Sequence, residues 1–255
     1  MSDYDRYANA RPGVGFARSS QAIDQGLRAY MLGVYNYMTL GLGVTGVVAF
    51  LAYKLGAVEN AAGHIVGLTS FGQAIYVSPL RWVVIFAPLA LVFWLSAARN
   101  SMSVSTTRAV FLAFAALIGL SLSTVFVVFT QASIARVFFV TAASFGALSL
   151  YGYTTQRSLS AMGSFLMMGL FGLIIASLVN IFLMSSGLQW ALSIIGVGIF
   201  AGLTAWDTQA IKESYYAGAG YEVAEKQSIH GALRLYLDFI NMFQYLLMLM
   251  GNRRD

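Results

Sequence analysis

The sequence predicts an all-α integral membrane protein with seven transmembrane helices. Three observations carry that prediction. Of 255 residues, 58% are hydrophobic and only 10% charged, with a mean hydropathy of +0.72, whereas a water-soluble domain carries about a quarter charged residues. The charges separate uncharged runs of the length that crosses about 30 Å of hydrocarbon. One stretch, from Ser158 to Trp206, is 49 residues long without a charge, too long for one span and right for two.

Residues 1–28 are polar and mixed in charge, with no apolar segment before a small-residue cleavage site, so they read as a flexible tail and not as a secretory signal. Helix is expected from Ser19 or Ser20, either of which can cap it. Ala29–Tyr53, between Arg28 and Lys54, is the first span. Residues 54–80 are too polar and glycine-rich to cross and end at Ser78-Pro79. Trp82–Ala98 is the second span, where Pro88 predicts a kink or a broken helix. A polar turn at Arg99–Arg108 leads to the third span, Ala109–Thr130, and a tight loop at Gln131–Arg136 to the fourth, Val137–Tyr153. Ser185-Ser186-Gly187 breaks the long uncharged stretch into spans at about 162–184 and 188–206. The seventh span runs from Ala232 to Met250. It contains Arg234, Asp238 and Asn241, so six spans with a re-entrant seventh is the alternative. The expected organisation is a tail (1–28), one transmembrane domain (29–251) and a short charged tail (252–255). Alternating the loops puts nine Lys and Arg on the N-terminal side against five on the other, which favours a cytoplasmic N-terminus.

Several function classes drop out. Cysteine is absent and only His64 and His230 are present, leaving no thiolate nucleophile, histidine metal cluster or Ser–His–acid set. The expectation is a protein that is not an enzyme and takes no cofactor. The net charge of +5 lies mostly between apolar runs, where it sets topology and meets lipid head groups, not nucleic acid. Gly41, Gly43 and Gly46 spell the dinucleotide pattern GxGxxG, but inside an uncharged run with no strand before it. They read as helix packing, as do Gly198 and Gly202. Asn180, well inside the fifth span, is expected to find an interhelical hydrogen bond.

Two aspartates remain, Asp207 and Asp238, each beside a long apolar run. A carboxylate near lipid costs about 2.5–3.5 kcal/mol at a helix centre. The sixth and seventh helices form an antiparallel hairpin that brings both carboxyls toward one membrane face. There Arg99, at the end of the second span, is a candidate counter-charge. Along the seventh helix Arg234, Asp238, Asn241 and Tyr245 follow steps of 4, 3 and 4, a polar stripe facing protein or water. Two readings stand side by side. In one, Asp207 is a helix-end residue and Asp238 is neutralised by Arg234, one turn away. In the other, the carboxyls form a pair that shares a proton, and losing it sets two helices in repulsion and exposes hard oxygen ligands suited to calcium.

WDTQAIK at 206–212, LYLDFINMF at 235–243 and VNIF at 179–182, together with the seven-span length, resemble the Bax inhibitor family of membrane proteins, in its bacterial form. The resemblance implies a bundle with the last helix central, in a bacterial-type inner membrane, and a pH-sensitive calcium leak governed by two aspartates. Those match Asp207 and Asp238, as proton sensor and calcium path. The family's arginine near the end of the second helix falls at Ser96 in the register of Phe93-Trp94-Leu95, so Arg99 or Arg234 must substitute. A glutamate of that helix is also missing. Some members instead act by binding a membrane protease. The alternative is therefore a non-conducting protein that modulates such a complex through residues 1–28 and 212–230.

Overall fold

The computed structural model describes residues 13–61, 64–98 and 101–254, with side chains from Gln25 onward. The described residues form eight helices and one small hairpin: α1 (Gly13–Gly56), β1 (Ala57–Glu59), β2 (Ile65–Leu68), α2 (Ser70–Gly72, continued by a π-helical turn Gln73–Val77), α3 (Leu80–Ala97), α4 (Val104–Val128), α5 (Gln131–Thr154), α6 (Ser160–Leu183), α7 (Ser186–Glu213) and α8 (Tyr221–Met250). The protein is an all-α integral membrane protein. Among the described residues six helices are long and apolar enough to cross a membrane: α1 from Gln25 onward, and α3 to α7. Large apolar side chains cover the outside, among them Phe93 on α3 and Phe165, Met168 and Phe182 on α6. In hydrocarbon this is the expected distribution, because lipid tails are as apolar as the side chains.

Helix ends differ from the sequence expectation where a cap outweighs a polar run. Helix begins at Gly13, ahead of Ser19, so most of the expected tail belongs to α1, while residues 1–12 lie outside the description. Thr130 caps α5 by accepting from Ser133 N at 3.4 Å, so Gln131–Arg136 is its first turn and not a loop. Ser103 likewise caps α4. Between α6 and α7 the break falls at Met184, which has φ 48°, and Ser185, which caps α7. Asn180 closes that turn by accepting from Ser185 N at 3.1 Å, and so serves its own helix end in place of the expected interhelical partner. Pro88 is buried and stays within α3, so the expected break does not occur there. Of the glycines, Gly41 packs tightly against Phe111 and Tyr236. Gly43, Gly46 and Gly198 face open space, so packing explains only part of that pattern.

α8 packs against α1, α4, α5 and α7. Tyr236 is fully buried on it and meets the edges of Phe111 and Phe114. Thr45 gives its only hydroxyl hydrogen to Ala115 O at 2.8 Å, so the Tyr236 hydroxyl donates to Thr45 at 2.6 Å, joining α1, α4 and α8. At the α7–α8 face, Glu225 accepts from Tyr37 at 2.5 Å and from Arg108.

At the opposite face the residues after α8 are clasped. Thr130 N donates to Asn252 O at 3.0 Å, Arg254 N to Val128 O at 2.9 Å, and Arg254 Nη1 reaches Glu59 Oε1 at 3.2 Å. Glu59 also accepts from Lys54 at 2.7 Å and from Tyr53. These partners, Lys54 first, then Tyr53 and Arg254, hold the Glu59 carboxyl down at about 2. A depressed carboxyl stabilises the fold above its unfolded value, about 4.3, and the contribution disappears as pH falls toward the folded value. Glu59→Gln is therefore expected to lower the melting temperature of the detergent-solubilised protein at neutral pH. The gap from wild type should close between pH of about 4.3 and 2; a gap constant with pH would exclude the clasp as its source.

Candidate functional site

Asp207 and Asp238 meet in the interior. α7 continues six residues beyond Asp207 to Glu213, and α8 starts at Tyr221, eleven residues before the expected Ala232. Asp207 is therefore not at a helix end, and both carboxyls sit well inside their helices. The sequence placed both helix ends wrongly because Trp206–Lys212 and Tyr221–Gly231 are polar enough to look like loop. Both continue as helix because the bundle supplies partners for their polar groups.

The two side chains are buried, 7% and 4% exposed, and lie close enough for each to feel the other's charge. Two neighbouring carboxyls in an apolar interior cannot both ionise cheaply. Arg234 forms an ion pair with Asp207 Oδ1, not with Asp238. Its guanidinium also lies over the Trp206 ring at 5.5 Å. Among the described residues no N–H or O–H donor reaches the buried Oδ2 of Asp238. The arrangement is thus an arginine paired with one buried carboxyl on α7, with a second buried carboxyl beside it on α8.

The neighbouring groups fix the pair in place. Thr208 donates to Thr204 O at 2.8 Å, so it accepts from Ser149 at 3.0 Å, and Ser149 in turn accepts from Tyr35 at 2.5 Å. Gly152 lets α5 approach closely, since a Cβ there would lie 2.1 Å from Ala205 O. Lys212 donates to Tyr153 O at 2.7 Å, and Gln209 bridges Arg157 O and Leu159 N at 2.9 and 2.7 Å. α5 is thereby fastened along the segment of α7 that carries Asp207. A cavity of about 110 Å³, lined by Tyr30, Ser214, Gln227, His230 and Arg234, leads from the α7–α8 face toward the pair. Beyond the pair, Ile240 and Phe243 of α8 turn toward α1, α4 and α5, while Tyr245 packs on Gly196 and Phe200 of α7.

The remaining predicted residues divide. Arg99 lies outside the described residues. Ser96, where the resemblance expects an arginine, donates to Val92 O of its own helix at 2.8 Å. Asn241 donates to Leu237 O at 2.8 Å, and Tyr245 stacks on Phe200 with centroids 5.9 Å apart. The stripe is therefore functional in appearance only at Arg234 and Asp238. Among the described residues no group of three or more acidic or histidine side chains could hold a metal ion.

The family model described as inhibitor of apoptosis-promoting Bax1 matches residues 27–255. An uncharacterised protein of Rickettsia prowazekii is 47% identical over 92% of this chain and 94% of its own length. Inner membrane protein YbhL of Escherichia coli is 45% identical over 94% of this chain and 99% of its own. An uncharacterised protein of Caulobacter vibrioides is 43% identical over the whole of both chains.

Removing Arg234 strands the buried Asp207 carboxyl, although the Arg234 end of the pair is 45% exposed and partly screened by solvent. Arg234→Gln and Asp207→Asn should each destabilise the solubilised protein, and the double variant should lose less than the sum of the two. Additive losses in thermal unfolding would show that the pair is not coupled.

Proposed function

Because this chain belongs to the Bax inhibitor family, we propose that it is a pH-sensitive calcium leak whose gate is the Asp207–Asp238 pair. It is an integral membrane protein of the inner membrane. The observation that carries the proposal is the proximity of two buried carboxyls on different helices, one of them also held by Arg234. Such a set is a poor device for stability alone, since an apolar substitute of the same shape is often as good. Intramembrane ionisable residues of this kind mark ion or proton paths.

In this reading α8 is a seventh span and the central helix of the bundle. Its 30 residues extend about 45 Å, from the Arg108–Glu225 pair at one face to the Arg254 clasp at the other. With a cytoplasmic N-terminus, the His230 cavity opens to the cytoplasm. The protein works without enzymatic chemistry and without a cofactor; calcium is the cargo. This reading takes the arrangement with Arg234 on Asp207 as the shut form.

Gating follows from proton count. With one proton, Asp238 bonds to Asp207 and Arg234 neutralises the set. Removing that proton sets two carboxylates against each other, and α7 against α8. Adding a second releases Arg234 from Asp207. Either change loosens the hairpin, and the first also exposes hard oxygens to calcium.

Calcium entry into vesicles holding the purified protein should be lowest where the pair keeps one proton and should rise as pH leaves that window. Asp207→Asn and Asp238→Asn should each flatten the profile. An unaltered pH profile in both variants would end the sensor assignment. Vesicles with no flux, together with co-purification of a membrane protease, would favour the interaction-protein reading instead.

A further inference from the structure

A crevice runs down the lipid-facing wall between α1 and α5, with α8 as its floor. Its wider part is a cavity of about 640 Å³ that begins at Arg28 and Tyr153, near the α7–α8 face, and reaches Phe138 and Phe239. A second cavity of about 300 Å³ shares Leu42, Phe138 and Phe239 with the first and continues to Gln131. From Tyr153 to Phe138 is 15 residues of α5, or about 22 Å. That is the depth of one leaflet with its head-group region.

Two features make this more than a gap in the wall. The first is space left by the sequence itself. Gly146 and Gly46 line the crevice, and a Cβ at either would meet nothing within 4 Å. The second is charge: among the residues that line the two cavities only Arg28, exposed at the wider mouth, carries any. Just outside the lining the Lys212 ammonium donates to Tyr153 O and lies 5.3 Å over that ring. No acidic side chain lines either cavity, and neither cation takes part in the ion pairs found among the described residues. Below the cations the lining is almost wholly apolar. The shape is a slot for one chain with a cationic rim at head-group depth, open to a bilayer that supplies both parts.

We propose that the α1–α5 crevice binds one anionic glycerophospholipid, with an acyl chain along Gly146 and Phe138 and its phosphate at Arg28 and Lys212. This rests on the membrane-spanning reading and is independent of calcium conduction. The floor and wall of the site adjoin the carboxyl pair in sequence. Phe239 follows Asp238, and the Ser149 hydroxyl in the wall donates to Thr208, which follows Asp207. An occupied crevice therefore presses on both segments that carry the pair.

The test uses native mass spectrometry of the full chain, purified in detergent and incubated separately with phosphatidylglycerol, phosphatidylcholine or oleate. Wild type should retain one phosphatidylglycerol per chain, about tenfold more than phosphatidylcholine, the factor a charge-assisted contact supplies. Gly146→Leu fills the slot without a clash and improves helix propensity, so it should keep its melting temperature and lose the bound lipid. Arg28→Gln should keep a lipid but retain the two phospholipids equally. Equal retention of both by wild type, undiminished phosphatidylglycerol on Gly146→Leu, or oleate retained in preference to phosphatidylglycerol would each overturn the assignment. Lipid retention is read without any ion flux, so failure here is distinguishable from failure of the calcium reading.

Discussion

A bilayer interior cannot solvate charge, and this bundle is arranged around that cost. Arg234, Asp207 and Asp238 lie on α7 and α8, and those helices are screened accordingly. α1, α4 and α5 pack on α8, while α5 and α6 pack on α7. The outermost helices, α3 and α6, are the ones with the fewest buried residues, and their apolar side chains face outward. Polarity decides which helix sits inside. In a water-soluble protein of the same helix count the order would be reversed.

The sequence showed the fold class and the approximate run of each apolar helix, because uncharged stretches are a strong signal over about 20 residues. It showed helix ends poorly. Gln131–Arg136 and Tyr221–Gly231 are polar, and polar residues are as compatible with a helix that leaves the bilayer as with a loop. Only the caps and the partners decide. Thr130 was readable in principle as a cap, whereas the pairing of Glu225 with Arg108 and Tyr37 spans more than a hundred residues and was not.

The site was legible in its carboxyls and opaque in its cation. Asp207 and Asp238 were conspicuous because acids are scarce in this chain and both adjoin apolar runs. Spacing along one helix suggested that Arg234 would serve Asp238, four residues on. The structure gives it to Asp207, because the hairpin places that carboxyl beside the same turn of α8 and the Trp206 ring supports the guanidinium. The position where the resemblance expects an arginine holds Ser96, and the cation comes instead from the helix that carries the second carboxyl. Charge and counter-charge therefore sit on different helices, Asp207 on α7 and Arg234 on α8. No interval in the sequence reports a contact made across two helices.

The position of α8 also has a consequence for assembly. In chain order it follows the other seven helices, yet it occupies the space between α1, α4, α5 and α7. The earlier, more apolar helices must assemble first and leave a slot faced by the Thr45 hydroxyl. Until α8 arrives, that oxygen lacks the hydrogen bond that Tyr236 donates to it. Its arrival brings a charged segment among more apolar helices, and the clasp of Arg254 on Glu59 can close only once the end of α8 lies beside β1. That clasp distinguishes a finished bundle from one still waiting for its last helix. A cell that inspects membrane proteins for exposed polar groups would find them here only in the unfinished form.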